Sequence, residues 1–232
     1  MRTSGPGISQ AVVNSGRGKE PGVGMEVYFL RHGETEWNRE KRIQGSTEWT
    51  DLTDEGVRAA EAARDGMMAA GLRFDRLYTS PYRRALHTAQ ILGAGLGLEP
   101  VVDRRLRELS FGRYEGTEYG DGRFADDNIR ACFKDPPRYV ARDGAESFDD
   151  AAARVRDFID SELAPLEGRC ARVLAVAHGG VLRTVLRLAD GMPLEDFWKG
   201  RQPNCCAHVV ELSGGRLSLK ARASVFAAVS GL

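Results

Sequence analysis

The chain has 232 residues, of which 42% are apolar and 28% charged, a profile that excludes a disordered or fibrous protein and suits one large globular domain. Lys plus Arg and Asp plus Glu both number 33, so charge alone points to neither nucleic acid nor a membrane surface, and any positive potential must be local. No apolar run approaches the roughly 18–20 residues of a membrane span.

Residues 1–24 are rich in Gly and Ser, hold no apolar stretch beyond AVV, and read as a flexible tail rather than a signal peptide, with Met25 the candidate functional start of a domain spanning 25–232. MEVYFL (Met25–Leu30) is a β-prone run that predicts a buried strand. DLTDEGVRAAEAARDGMMAAG predicts a helix with its start signal at Thr53 or Asp54 and its stop at Gly71. FDRLYTS reads as a second strand, and PYRRALHTAQILGAGLG as a helix opening with Pro81 near its first turn. EPVVD is a short third strand leading into the loop-like RRLRELSFGRYEG. Asp121 to Ala145 predicts a loop or short-helix region. In SFDDAAARVRDFIDSELAPL, residues Phe148, Ala152, Val155, Phe158, Ile159 and Leu163 share one helical face. ARVLAVAHGG is the strongest buried strand, VLRTVLRLAD the helix after it, and CAHVVEL and RLSLKARA are two strands joined by SGG. Strands alternating with helices predict an α/β fold with a largely parallel sheet, in which ligands bind beyond the carboxyl ends of the strands.

Two strands end in the same way, in RHG (Arg31–Gly33) and in HGG (His178–Gly180). If they run parallel, His32 and His178 emerge on the same side of the sheet, each followed by a glycine that lets a ligand approach the backbone closely. A third strand ends just before a helix carrying Arg83 and Arg84 in its first turn, where free N–H groups favour anions. Histidines and arginines converging at helix starts describe an anion pocket, and phosphate is the natural guest. Arg31 beside His32 argues against a metal cation there. His87 reads as a solvent-facing helix position, with the pocket rim as the alternative, and His208 as structural.

Histidine as nucleophile in phosphoryl transfer must be neutral, and Arg31 and Arg84 disfavour its protonated form. The same arginines, with His178 if it is protonated, would neutralise the transferring phosphoryl oxygens. A carboxylic acid must protonate the leaving oxygen and later activate water; Glu34, Glu36, Glu108 and Glu115 are all candidates by position.

RHGETEWN, SPYRRALHTA, LRELSFGRYEG and VAHGGVLR resemble, in order and spacing, the motifs of the histidine phosphatase superfamily, the phosphoglycerate mutase-like family, over about residues 25 to 212. The resemblance implies a three-layer α/β/α sandwich with a mostly parallel central sheet and a phosphohistidine intermediate formed without metal or cofactor. It makes His32 the nucleophile, Arg31, Arg84 and His178 the rest of the phosphate pocket with Gly179 beside it, and Glu108 the general acid/base. Asn38, Gln44 and Gly45 match positions that contact the substrate phosphate or line its entrance, and Asn204 a strand-start asparagine of the sheet edge or site. GSTEWTDLT departs from the family at the rim, carrying Glu48 where Asp is usual. The HGG sequence and the short connection between Gly116 and Ser147 resemble phosphatase branches more than mutases.

The expected protein is thus a phosphatase of small phosphorylated metabolites. Phosphoglycerate mutase is the alternative, followed by a non-catalytic phospho-ligand binding module. No nucleic-acid or membrane partner is expected, and a homo-oligomer is compatible with the sequence. The cysteines Cys132, Cys170, Cys205 and Cys206 form no C-x-x-C pair, which suits a reducing cytoplasm. Arg123, Arg130, Lys134, Arg138 and Arg142 either grip a second anionic group or belong to a solvated segment balanced by Asp121, Asp126, Asp127 and Asp135.

Overall fold

A computed structural model of the chain describes residues 24–120 and 122–226; the expected tail lies outside the described residues except for Gly24. Six strands form one sheet in the order β3-β2-β4-β1-β5-β6. They are β1 (Met25–Arg31), β2 (Arg76–Thr79), β3 (Pro100–Val102), β4 (Arg172–Ala177), β5 (Cys206–Ser213) and β6 (Arg216–Val225). β3, β2, β4 and β1 pair in parallel, while β5 runs antiparallel to β1 and forms a hairpin with β6. The helices are α1 (Glu36–Arg39), α2 (Asp54–Ala69), α3 (Arg83–Leu96), α4 (Asp127–Lys134), α5 (Phe148–Phe158) and α6 (Gly179–Asp190).

Alternation along the central strands sets the layers, because successive side chains leave opposite faces. Val27, Phe29, Val173 and Ala175 pack against Val155 and Phe158 of α5 and Val181, Leu182 and Val185 of α6. Tyr28, Leu30, Leu174 and Val176 pack against Ala60, Ala63 and Met67 of α2 and Ala85, Ala89 and Leu92 of α3. The result is the expected three-layer sandwich. A third cluster joins Ile129 and Cys132 of α4 to Phe111, Phe148 and Phe197. Among the described residues no helix is long and apolar enough to cross a membrane.

The helix signals acted as read, with two differences, both on α5. Thr53 caps α2 by accepting the Gly56 N–H at 3.0 Å. Pro81 stands next to the first turn of α3, immediately before its cap Tyr82. On α5 the fully buried alanine is Ala151, with Ala152 only half-buried. The helix continues through a π turn, Ile159–Leu163, whose wider spacing keeps both Ile159 and Leu163 in the core. Within the basic segment, Arg123 pairs with Glu118, Arg130 with Asp127 and Arg138 with Asp135, while Asp126 caps α4. Three of the five cations are therefore in surface ion pairs, two of them with aspartates of the same segment; Asp121 lies outside the described residues.

Candidate active site

β1 and β4 are neighbours, with Arg31 in register with Ala177. The next residues are His32 and His178, so both imidazoles leave the same end of the sheet. Their ring centroids stand 5.1 Å apart, and both side chains are buried.

His32 Nδ1 lies 2.7 Å from the Gly33 carbonyl oxygen. A carbonyl only accepts, so Nδ1 carries the proton and Nε2 keeps its lone pair. Burial first, then the charges of Arg84 and Arg31, hold the ring's pKa well below 6.5. His32 is therefore a neutral imidazole at neutral pH.

For His178 the condition of protonation is not met. Burial, then Arg84 and the neighbouring His32, push its pKa well below 6.5 as well, so it is not the cationic donor that protonation would have made it. It can still donate. Its Nε2 is 2.7 Å from Ser80 Oγ, and its buried Nδ1 has no partner among the described residues. A Ser80 hydroxyl donating to Nε2 leaves the ring proton on Nδ1, a neutral N–H donor.

Arg84, in the first turn of α3, is fully buried. It donates to the carbonyls of Thr47 at 2.5 Å and Gly45 at 2.8 Å, and to Thr50 Oγ1 at 3.0 Å. Burial draws its pKa down to about 10, so it stays charged at neutral pH. A buried cation bonded to neutral oxygens forms half of an anion site. Arg31 is held by donation from Nη1 to the Gln202 carbonyl. The Nε atoms of both arginines are buried and have no hydrogen-bond partner among the described residues. Arg83, by contrast, turns outward to Asp51, which also binds His87 at 2.8 Å, so both lie at the rim.

The four candidate carboxylates separate clearly. Glu34 accepts from Thr53 Oγ1 at 3.0 Å, and Glu36 pairs with Arg39 on the surface. Glu115 is occupied by the Ser46 and Phe111 N–H groups at 2.7 and 3.0 Å. Glu108 alone of the four reaches the start of α6, the helix that His178 caps, where the Gly180 N–H donates to its two oxygens at 3.1 and 3.0 Å. That contact needs glycine, because a Cβ on residue 180 would lie 2.5 Å from Glu108 Oε1. A Cβ on Gly179 would lie 3.9 Å from Arg31 Nε and 3.9 Å from Glu108 Oε2, so these groups surround the glycine.

The remaining candidates serve the pocket wall. Gly45 has φ +49, and a Cβ there would meet Glu115 Oε1 at 2.3 Å; this turn aims the carbonyl that Arg84 binds. Gln44 Oε1 accepts from Thr35 Oγ1 at 2.9 Å and Thr50 Oγ1 at 3.1 Å. Asn38 Oδ1 accepts the Thr35 N–H at 3.2 Å in the cap of α1, and Asn204 Nδ2 donates to the His32 carbonyl at 2.9 Å. Ser80 and Gln202 join the site although neither was singled out by sequence. Ser80 stood inside the SPYRRALHTA motif; Gln202 carried no local signal. Among the described residues no group of three or more His, Cys, Asp or Glu could hold a metal ion.

Comparison with known proteins agrees with this architecture. The family model of the histidine phosphatase superfamily (branch 1) matches residues 27–224, and the chain belongs to that superfamily. A 2,3-bisphosphoglycerate-dependent phosphoglycerate mutase of Methylobacterium sp. (strain 4-46) is 34% identical over 187 residues, 75% of this chain and 87% of that one. The crystal structure of the alpha-ribazole phosphatase from Shigella flexneri superposes with a TM-score of 0.73 at 27% identity, covering 89% of this chain and 100% of the other. A mycobacterial glucosyl-3-phosphoglycerate phosphatase, solved in complex with VO3, gives a TM-score of 0.72 at 28% identity over 86% of this chain and 99% of the other.

Proposed function

We propose that the protein is a metal-independent phosphatase that hydrolyses small phosphomonoesters through a phosphohistidine on His32. One observation carries this reading. A buried, neutral histidine with its Nε2 lone pair free shares a pocket with unpartnered donors on Arg31, Arg84 and His178. In the first step His32 Nε2 attacks phosphorus, the ester P–O bond breaks, and Glu108 gives its proton to the leaving alkoxide. Arg31, Arg84 and the neutral His178 Nδ1–H stabilise the equatorial oxygens. Water then attacks the phosphorus, Glu108 takes its proton, and the N–P bond breaks to restore neutral His32.

Hydrolysis rather than isomerisation is supported by the HGG sequence after β4 and by two structural neighbours that bear phosphatase names. The mutase relative at 34% identity is the reason to test the alternative directly. All four cysteines are buried and none is in a disulfide, in keeping with the cytoplasmic location that the proposal adopts.

The test is release of inorganic phosphate, in chelator, from a panel of phosphomonoesters that includes 3-phosphoglycerate. Release by the wild type and none by His32→Ala is expected. Interconversion of 2- and 3-phosphoglycerate without net release would replace phosphatase by mutase.

Two further outcomes are expected. Because the nucleophile's pKa is depressed, its neutral form persists as pH falls through 6.5, so the acidic limb of kcat/KM for the free enzyme should lie below that value. A limb attributable to His32 at or above 6.5 would contradict the neutral assignment. Gly180→Ala should lower kcat/KM by about tenfold or more, because its Cβ displaces the Glu108 carboxylate; the same Cβ meets the buried Leu109 Cδ1 at 2.6 Å, so the comparison is made on variant protein shown to be folded. Wild-type kinetics in this variant would show that the contact does not position Glu108.

A further inference from the structure

Gln202 stands in the segment just before β5, with 8% of its surface exposed. Its carbonyl accepts from Arg31, so the residue is tied to the pocket by its backbone before its side chain is considered. That side chain meets His208, which is buried in β5, with the amide 2.6 Å from His208 Nε2. The protonation of His208 decides what the amide presents in each direction.

His208 Nδ1 accepts the backbone N–H of Ala223 at 3.0 Å. A backbone N–H only donates, so Nδ1 holds the lone pair and the ring proton is on Nε2. Burial, with Arg183 and Arg222, pushes the pKa of this ring down to about 4, so Nε2–H is the proton of a neutral imidazole. Two N–H groups cannot face one another at hydrogen-bond distance. The amide oxygen of Gln202 must therefore face His208, and amide O and N are exchanged by a half-turn about the last side-chain torsion.

The other terminal amide position is buried, has no partner among the described residues, and lies 3.8 Å from where a Cβ on Gly179 would be. The same point is 3.9 Å from Arg31 Nε and 3.9 Å from Glu108 Oε2. We infer that Gln202 turns its –NH2 group into the pocket as a further donor to a bound phosphoryl oxyanion, and that His208 is the positioning residue that holds the amide in that sense. The inference rests on the phosphate-pocket reading above and adds to it a neutral donor from the β5 side of the site. An amide in the opposite sense would aim a carbonyl oxygen at the anion and repel it.

Gln202→Met keeps the length of the side chain and removes both polar atoms, so the two senses of the amide give opposite results. With inorganic phosphate as the probe, the inhibition constant of Gln202→Met should rise about tenfold, the loss of one hydrogen bond to a charged acceptor. Unchanged or tighter phosphate binding in a folded Gln202→Met would overturn the inference. A measurement on the wild type does not depend on the variant folding. In the 15N-labelled protein the Gln202 side-chain amide resonances should shift on saturation with phosphate, and an amide that stays unmoved would overturn the inference. If phosphate does not bind the wild type at all, the phosphate-pocket reading fails and this inference with it. If it binds wild type and Gln202→Met equally, only the inference about Gln202 fails.

Discussion

His32→Ala is expected to lower kcat/KM for every phosphomonoester by on the order of 10⁴-fold or more, as removal of a covalent nucleophile does in other enzymes. The geometry leaves no substitute. His178 directs Nε2 to Ser80 at 2.7 Å, and in the proposed mechanism its pocket-facing Nδ1 bears a proton. The fold should tolerate the change, because among the described residues the His32 side chain hydrogen-bonds to the carbonyl of its own neighbour, Gly33. A melting temperature near that of the wild type, together with lost turnover, is the expected pair of results. Retained turnover would remove His32 from the mechanism.

Glu108→Ala should separate substrates by their leaving groups. An alkoxide leaves poorly without a proton, so hydrolysis of alkyl phosphates should fall by about 10²–10⁴-fold. A nitrophenolate needs little protonation, and formation of the phosphohistidine from an aryl ester should be far less affected. The comparison is made on the first, covalent step, since water attack on the intermediate also uses Glu108. Equal loss on both substrates would assign Glu108 a different task, such as holding the start of α6 through the Gly180 N–H.

Much of this architecture was legible in the linear sequence because it depends on local signals. Apolar runs ending in RHG and HGG marked β1 and β4, and their parallel pairing followed from strands alternating with helices. Thr53 announced α2 through a cap whose chemistry is contained within four residues. What was not legible depends on contacts between distant segments. Composition and spacing alone left Glu108 and Glu115 both open, and only the family motif preferred Glu108; in the fold Glu115 is consumed by the Ser46 and Phe111 N–H groups, while Glu108 meets Gly180 across the chain. The protonation of His178 likewise depends on burial and on Ser80, contributed by the end of β2. Gln202 acquires its place only when β5 lies beside β1 and brings His208 under it. The Ala151-for-Ala152 exchange on α5 is of another kind: two adjacent alanines give the apolar pattern no way to choose between them.

The most direct test of the central claim is rapid acid-free quenching of the enzyme during turnover of a phosphomonoester, followed by peptide mass spectrometry. The mechanism requires one phosphoryl group on His32, formed and lost at rates that match phosphate release, and absent from His32→Ala. Phosphate released at full rate with no phosphoryl group ever on His32, under conditions that preserve phosphohistidine, would contradict it.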